Sequence, residues 1–403
     1  MKMPFIALLV FIAWPARAAV QEPPNILLLM AEDMSPRVSA FGDPVAVTPN
    51  IDALAKQGVR YTNTFTAAGV CAPSRAAHIL GMHQISTGTQ HMRSGARGYF
   101  SVPPPEVKAY PELMRAAGYY TFTDEKLDYQ FSGVRAGSGP FTIWDAEGTS
   151  DWHGRNNGQP FFGLINFQVT HESGVFTPLG NLPHSPTHFM LQLMRWWKLD
   201  DVESGIVTPE SVVLEPYYPD TPVVRADIAR HYDNIAYMDR EVGQILQRLD
   251  EEGLADSTIV IWTTDHGDGL PRAKRELYDS GIKVPMVIRW PEAYRPAGVE
   301  PGQVDSRLIS FVDLAPTILG LAGITPPDYL QGRDFVASNA PARRYIYASR
   351  DRIDEVPDQQ RAVRDDRFKY IRSWHPDLPG GHPLQFRENI DMAREMRSLH
   401  EAG

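Results

Sequence analysis

Two pairs of possible metal ligands stand at the ends of apolar runs. Glu32 and Asp33 follow the run NILLLMA, and Asp265 and His266 follow the run STIVIWTT. Together they offer three carboxylates and one imidazole, an oxygen-rich donor set that suits a hard divalent cation such as Ca²⁺ or Mg²⁺ better than zinc. Either pair alone could simply decorate a strand end. The two pairs together predict a cation site if their strands are neighbours.

Cationic and imidazole side chains follow other apolar segments. Lys126 comes just after YYTFTDE, the basic run RAKR (272–275) follows the Asp-His-Gly turn, and His171 ends the segment NFQVTH. Charge runs are usually solvated surface. Beside the same strand ends, however, these groups could bind a tetrahedral anion through point-charge or bidentate contacts. Glu172 and Ser173, next to His171, indicate a polar opening rather than an apolar interior.

The stretch GVCAPSRAAHILGM (69–82) contains the single cysteine of the chain, Cys71. A lone cysteine cannot form an internal disulfide. In an exported protein it is therefore either a small buried apolar group or a reactive one, and the residue types alone leave both interpretations open.

The N-terminus has the pattern of an export signal. Lys2 supplies the basic start, Phe5 to Trp14 the apolar stretch, and ARA at 16–18 the small-residue cleavage site. We therefore predict a signal peptide over 1–18 and export to the periplasm or the exterior of a bacterial cell. The alternative is an N-terminal membrane anchor. Because the apolar stretch is shorter than the roughly 20 residues that span a bilayer, we predict no stable membrane insertion.

Helices and strands alternate along the chain, which predicts an α/β sandwich around a large, mostly parallel sheet flanked by helices. In such folds the ligand crevice lies beyond the carboxyl ends of the strands. Strands are predicted in NILLLMAED and in segments 160–171, 257–269 and 284–290, and helices in 48–58 and 225–253. Segment 110–122 is predicted to be a helix followed by a glycine and a strand.

Charge and composition narrow the function classes. The chain is 43% hydrophobic with a formal net charge of −10, which argues against nucleic acid as a partner, so an anionic substrate needs a local cationic site. Segments 128–160 and 172–222 lack periodicity and read as long loops that could shape such a site. They contain four tryptophans suited to stacking on sugar rings, at least half of which we expect to pack internally instead: Trp144, Trp152, Trp196 and Trp197.

The segment CAPSR (71–75) resembles the C-x-P-x-R signature of the formylglycine-dependent type I sulfatases. PNILLLMAEDMS resembles the first metal strand of that family, TTDHGDG its second metal motif and SFVDLAPTILGLAGI its later helix. The similarity spans about residues 24–335. Within the family, TPVVRADIARHYDNIAYMDREVGQIL and LPRAKRELYDSGIKVPMVI are most similar to the heparan N-sulfatase (sulfamidase) branch and its bacterial relatives. The resemblance implies the alkaline-phosphatase-like sandwich fold.

The resemblance also implies a covalent mechanism. A formylglycine-generating or anaerobic sulfatase-maturating enzyme would oxidise Cys71 to Cα-formylglycine, recognising Pro73 and Arg75 as part of its pattern. One hydroxyl of the hydrated aldehyde attacks sulfur, and deprotonation of the other later expels sulfate. The implied ligands of the Ca²⁺ or Mg²⁺ are Glu32, Asp33, Asp265, His266 and Cys71.

Further roles follow from the same resemblance. The charge of the sulfuryl oxygens would be neutralised by Arg75, Lys126, His171 and Lys274. His171 or Lys274 would protonate the leaving group. Substrate contacts are expected from His91, Lys126 and Lys274.

The chain departs from the family pattern in three places. Glu32-Asp33 stands where Asp-Asp is usual, so Glu32 is the weakest of the expected ligands. The common Lys-x-His pattern appears as Lys126-Leu127-Asp128, which puts one anion contact in doubt. The third departure is at the C-terminus, since the chain ends at DMAREMRSLHEAG, where relatives continue. We expect a catalytic domain over 19–340 and a truncated C-terminal subdomain over 341–403.

Three functions remain open at this point. The first is a sulfatase that cleaves sulfate esters or N-sulfo groups of a sulfated saccharide. The second is a phosphate or phosphonate ester hydrolase of the same superfamily, since sulfate and phosphate esters share tetrahedral geometry. The third is a non-catalytic sulfoglycan-binding remnant of a shortened sulfatase. Oligomeric state cannot be read from the sequence.

Overall fold

A computed structural model describes residues 22–93, 99–131, 137, 143–198, 202, 204–338, 340–378 and 380–403. The signal peptide predicted over 1–18 lies outside the described residues. No helix in the described part of the chain is both long and apolar enough to cross a membrane.

The predicted mostly parallel sheet is confirmed. It has nine strands in the order β4-β3-β5-β1-β6-β7-β2-β8, with β9 also paired to β2. Strand β7 runs antiparallel to β6 and β2, whereas the other pairings of this sheet are parallel. The strands are β1 Asn25–Ala31, β2 Gly58–Phe65, β3 Tyr120–Thr123, β4 Ala146–Glu147, β5 Phe161–Phe167, β6 Thr258–Thr264, β7 Lys283–Arg289, β8 Val304–Asp305 and β9 Ile309–Ser310.

Apolar residues on both faces explain the central strands. Every residue of β1, β5 and β6 is buried, as expected for parallel strands covered on two sides. Because successive side chains of a strand point to opposite faces, Leu27 and Leu29 join one hydrophobic core while Ile26 and Leu28 join the other.

Helices cover both faces of the sheet. Residues of α1, α5 and α8 contribute to one core, and residues of α2, α3 and α7 to the other. The long amphipathic helix predicted at 225–253 begins earlier, at Pro222, because the Thr221 hydroxyl accepts the Val224 N–H and caps it. The helices are α1 Pro49–Gln57, α2 Cys71–Leu80, α3 Tyr110–Ala116, α4 Pro186–Lys198, α5 Pro222–Glu251, α6 Asp279–Ile282, α7 Leu314–Leu321 and α8 Asp391–Ala402.

Helix α4 was not predicted, since segment 172–222 reads as a loop. Its two buried residues, His188 and Gln192, are polar and lie one turn apart. The His188 ring and the Gln192 amide both bond to the Thr177 carbonyl oxygen. The large apolar residues of this helix, including Phe189, Leu193 and Trp197, are exposed instead. The helix therefore lacks the usual arrangement in which the apolar face is buried and the polar face is solvated.

The C-terminal segment contains a second sheet and a closing helix. Strands β10 (Ile346–Arg350), β11 (Gln360–Arg364) and β12 (Lys369–Ser373) pair antiparallel in that order. Helix α8 packs on α5, and the Met392 N–H donates to the Asp227 carboxylate at 2.7 Å. The segment 341–403, expected to be a partial subdomain, therefore contains both a sheet and a closing helix. The domain boundary at residue 340 stays a prediction.

Candidate active site

The three polar strand ends meet at one edge of the sheet. Strand β1 lies between β5 and β6, and Ala31 pairs with both Phe167 and Thr264. The residues that follow these strands are thereby brought together: the Asp33 N–H donates to Asp265 Oδ1 at 3.0 Å. The edge predicted from the sequence is therefore the place where the candidate groups converge.

Four buried side chains form a possible metal site. The ligand atoms of Asp33, Cys71, Asp265 and His266 all lie within 4.8 Å of one another. His266 Nε2 is 2.9 Å from Asp33 Oδ1 and 3.3 Å from Cys71 Sγ. Sγ stands here for the formylglycine oxygens that the family resemblance implies. Two carboxylates and an imidazole around that position fit a hard divalent cation.

The hydrogen bonds of His266 favour this role. The Gly267 carbonyl oxygen accepts from Nδ1 at 2.9 Å, which assigns the proton to Nδ1 and leaves Nε2 facing the carboxylates. Metal-binding histidines are commonly oriented in this way. Burial opposes a charge on the ring, but Asp265 and Asp33 outweigh it and raise the pKa of His266 well above its usual value. The same negative field would attract a cation.

Glu32 lies outside this group of four. Its Oε1 accepts from Lys126 Nζ at 2.5 Å and from Arg75 Nη2 at 3.2 Å, so two cations already engage it. Burial raises the pKa of Glu32 despite them. Glu32 forms a second possible ligand group with Asp33 and His171. Its role as a metal ligand stays a prediction.

Helix α2 places Cys71 and Arg75 on one face. Cys71 is the first residue of the helix and is fully buried, and Arg75 lies about one turn later. Ser74 Oγ donates to the Asp265 carbonyl oxygen at 2.6 Å and joins the helix to the end of β6. Arg75 Nε donates to Asp265 Oδ2 at 3.1 Å. The CAPSR segment is thus joined to the metal strands at several points.

Two residues that the sequence did not single out hold Arg75. Asn166 Oδ1 accepts from Arg75 Nη1 at 2.5 Å, and Asn166 Nδ2 donates to Asp124 Oδ1. Burial raises the pKa of Asp124 to about 6. The sequence did carry a signal for Asn166, because a polar amide interrupts the buried apolar strand FFGLINF.

Lys274 and Glu172 lie beside the possible metal site. Lys274 Nζ lies 2.5 Å from Asp33 Oδ2 and 2.9 Å from Glu172 Oε1. Glu172 also accepts two hydrogen bonds from Arg275 at 2.8 and 2.9 Å, and its N–H donates to Asp33. The sequence suggested only a polar opening at Glu172. The structure gives it a buried place that orients two cations.

His171 faces the same carboxylates. The Ser173 N–H donates to His171 Nδ1 at 3.3 Å, so the neutral ring carries its proton on Nε2, 4.0 Å from Asp33 Oδ2. Burial and the charge of Lys274 hold the pKa of His171 well below its usual value. The ring can therefore donate a hydrogen bond from Nε2 while remaining uncharged at neutral pH.

A cavity of about 250 Å³ borders the candidate site and is lined in part by Glu32, Lys126, His171 and Phe386. The Phe386 ring lies 6.1 Å from the His171 ring, so the C-terminal segment contributes a wall of the site. Burial lowers the pKa of His91, and charged residues of the C-terminal segment, among them Asp351, act on the same ring. Its contact with substrate stays a prediction.

Two of the four tryptophans belong to the core. Trp144 and Trp152 are buried and stack on Phe162 and Phe161, with centroids 5.6 Å apart in each pair. They are not available to a sugar ring. Trp196 and Trp197 of α4 are 59% and 78% exposed.

Gly267, between the metal strand and Lys274, has no room for a side chain. A Cβ there would lie 1.8 Å from the Ser280 carbonyl oxygen, so the backbone would have to move. We expect Gly267→Ala to destabilise the fold by about 1–3 kcal/mol, seen as a lower urea midpoint. Gly380→Ala is the matched control, since a Cβ at Gly380 meets nothing within 4 Å. Equal midpoints for the two variants would contradict the crowding.

Comparison with known proteins decides the family. Residues 24–324 match the sulfatase family model, and residues 272–378 match the model of the N-sulphoglucosamine sulphohydrolase C-terminal region. The chain belongs to the sulfatase family. The resemblance inferred from the sequence is thereby confirmed, including its heparan N-sulfatase-like relatives.

Relatives within the sulfatase family are longer than this chain. An ulvan-active sulfatase of Formosa agariphila is 41% identical over 95% of this chain and 66% of its own length. Human N-sulphoglucosamine sulphohydrolase is 30% identical over 76% of this chain and 62% of its own length. The chain thus spans somewhat less than two thirds of the length of these relatives.

Solved structures show the shared fold. A protein in complex with its substrate D-glucosamine-2-N,6-O-disulfate has a TM-score of 0.66 at 16% identity, covering 94% of this chain and 97% of that one. A phosphonate monoester hydrolase of Agrobacterium radiobacter has a TM-score of 0.63 at 19% identity, covering 94% and 96%. Similarity at these identities establishes the fold alone. The reaction has to be inferred from the residues of the candidate site.

Proposed function

We propose that this protein is a sulfatase that hydrolyses sulfate esters or N-sulfo groups of a sulfated saccharide. The observation that carries the proposal is the position of Cys71, whose Sγ lies within the ligand group of Asp33, Asp265 and His266. A reactive group placed at a buried cation site, with lysines beside it, suits the attack on an anionic tetrahedral centre. The names of the ulvan-active and N-sulphoglucosamine relatives support a saccharide substrate.

The nucleophile would be the hydrated formylglycine made from Cys71 by a separate maturation enzyme. One hydroxyl attacks sulfur while the bond from sulfur to the leaving oxygen or nitrogen breaks, and the leaving atom takes a proton. Loss of the proton on the second hydroxyl then restores the aldehyde and expels sulfate, and water hydrates the aldehyde again.

The surrounding residues of this chain have distinct tasks. Lys126 and Lys274 offset the charge of the sulfuryl oxygens, and His171 offers its Nε2 proton to the leaving atom. Arg75 holds Asp265 and Glu32 in place beneath the reacting group. These assignments are supported by the burial and pairing of each side chain.

A divalent cation, Ca²⁺ or Mg²⁺, would be held by Asp33, Asp265, His266 and the oxygens at position 71, with Glu32 as a further candidate. When bound, it would polarise the sulfate oxygens and lower the pKa of the attacking hydroxyl. The donor set supports this choice because its two carboxylates, with the oxygens at position 71, outnumber the single imidazole. We also propose export through the segment 1–18, to the periplasm or the cell exterior.

A substrate panel tests the proposed function. The protein, matured by co-expression with a formylglycine-generating enzyme, is assayed with 4-nitrophenyl sulfate, 4-nitrophenyl phosphate, N-sulfoglucosamine and defined sulfated oligosaccharides. We expect sulfate release to exceed phosphate release, with the highest kcat/KM on a saccharide. Faster phosphate hydrolysis would favour the phosphate or phosphonate hydrolase, and binding of saccharides without turnover would favour the non-catalytic remnant.

A further inference from the structure

Arg93 is a cation at the mouth of the pocket that takes no part in the proposed reaction. It lines the cavity together with Glu32, Lys126 and His171. Its side chain is 40% exposed, whereas the side chain of Lys126 is 8% exposed and that of Lys274 is 2% exposed. The guanidinium therefore lies nearer to solvent than the lysines that face the reacting position.

A buried carboxylate holds Arg93 at this place. Asp128 Oδ2 accepts from Arg93 Nη2 at 3.4 Å, and the Asp128 side chain is only 1% exposed. Both residues have left-handed backbone conformations, with φ of 46° at Arg93 and 52° at Asp128. Such conformations cost energy in residues other than glycine and persist where the surroundings enforce them, often at functional sites.

The loop that carries Arg93 is fixed from the C-terminal segment. The Met92 N–H donates to the Arg352 carbonyl oxygen at 3.1 Å, and Arg352 Nη2 donates to the Met92 carbonyl oxygen at 3.2 Å. Arg93 Nε is buried and has no hydrogen-bond partner among the described residues. Asp128 thus engages one edge of the guanidinium and leaves other donors for a ligand.

We propose that Arg93, positioned by Asp128, binds a second anionic group of the saccharide substrate, a carboxylate or a second sulfate, beside the sulfo group that reacts. The inference rests on the proposed function and extends it to the substrate class. Planar guanidinium forks bind carboxylate and sulfate oxygens bidentately, which makes arginine suited to this task. Lys126 and Lys274, which pair with Glu32, Asp33 and Glu172, are assigned to the reacting sulfo group, so Arg93 is left for a second anion.

Asp128 stands where a histidine is common in the family, and the expected consequence was the loss of one anion contact. In the structure the carboxylate instead supports a guanidinium at the rim. The substitution is therefore tied to a change in which part of the substrate is recognised.

The test compares a substrate with one anionic group and a substrate with two. Arg93→Gln is assayed with 4-nitrophenyl sulfate and with the saccharide that the wild-type protein turns over with the highest kcat/KM. We expect KM for a doubly anionic saccharide to rise about 10-fold, as for the loss of one charged hydrogen bond, with kcat within about twofold. The kcat/KM for 4-nitrophenyl sulfate should stay within about twofold.

Three further variants sharpen the result. Asp128→Asn should raise KM in the same way, and the double variant should be no worse than Arg93→Gln because the two residues act as one unit. Arg93→Lys, which keeps the charge, should recover part of the affinity and guards against a folding defect in the glutamine variant. Arg115→Gln is the matched control, since Arg115 pairs with Asp145 on the surface.

The outcomes that overturn the inference are separate from failure of the proposed function. Equal losses on both substrates would assign Arg93 to the reacting sulfo group, and no loss on either would make the pair purely structural. If the saccharide with the highest kcat/KM carries only one anionic group, a second anion site is also contradicted. A wild-type protein inactive on every sulfate overturns the proposed function itself, before any variant is compared.

Discussion

Replacing Cys71 with alanine is expected to lower sulfate turnover by at least about 10⁴-fold, because the covalent route begins at this side chain. The fold should survive. Cys71 is fully buried beside Val70, Ala72, Met92 and Ile353, and losing one sulfur from that cluster should cost only about 1 kcal/mol. The measurements are kcat/KM on 4-nitrophenyl sulfate and the midpoint of thermal unfolding.

A matched sample separates chemistry from packing in this experiment. Wild-type protein expressed without a maturation enzyme keeps the thiol and should be as inactive as Cys71→Ala, with an unchanged fold. Turnover by Cys71→Ala near the wild-type rate would show that another group attacks sulfur.

Removing divalent cations is expected to reduce turnover by about 10³-fold, since a metal ion supplies several kcal/mol of stabilisation to the developing charge. Activity should return on addition of Ca²⁺ or Mg²⁺. The same treatment should lower the unfolding midpoint, because a ligand that binds only the folded state stabilises it. Treatment with a chelator, followed by dialysis and measurement of both activity and midpoint, tests this.

Asp33→Asn provides the control for the cation. The Asp33 carboxylate lies near His266 Nε2 and Lys274 Nζ. Burial opposes its ionisation, but Lys274 and other cationic groups keep the pKa of Asp33 well below its usual value. Its loss should abolish the shift of the midpoint with added Ca²⁺. Activity and midpoint that are both indifferent to chelation would show that these carboxylates do not form a cation site.

The sequence was informative where chemistry follows directly from an apolar strand. NILLLMA and STIVIWTT are followed directly by polar residues and NFQVTH ends in one, and parallel strands bring their carboxyl ends to one edge of a sheet. The convergence of Asp33, His171 and Asp265 could therefore be predicted without knowing any contact.

The supporting contacts could not be predicted in this way. Asn166 and Asp124 hold Arg75, Phe386 walls the pocket, and Arg93 meets Asp128, all through pairs distant in sequence. Helix α4 escaped detection because its buried stripe is polar. Neither hydrophobic periodicity nor the spacing of motifs carries such information.

The central claim is that Cys71 becomes the formylglycine nucleophile, and the mass of one peptide tests it most directly. Trypsin should release YTNTFTAAGVCAPSR, residues 61–75, from protein expressed with a maturation enzyme. We predict the mass of the aldehyde, reactive towards hydrazides and inert to thiol alkylation. A peptide that carries only the thiol, from a preparation that hydrolyses sulfate, would contradict the account.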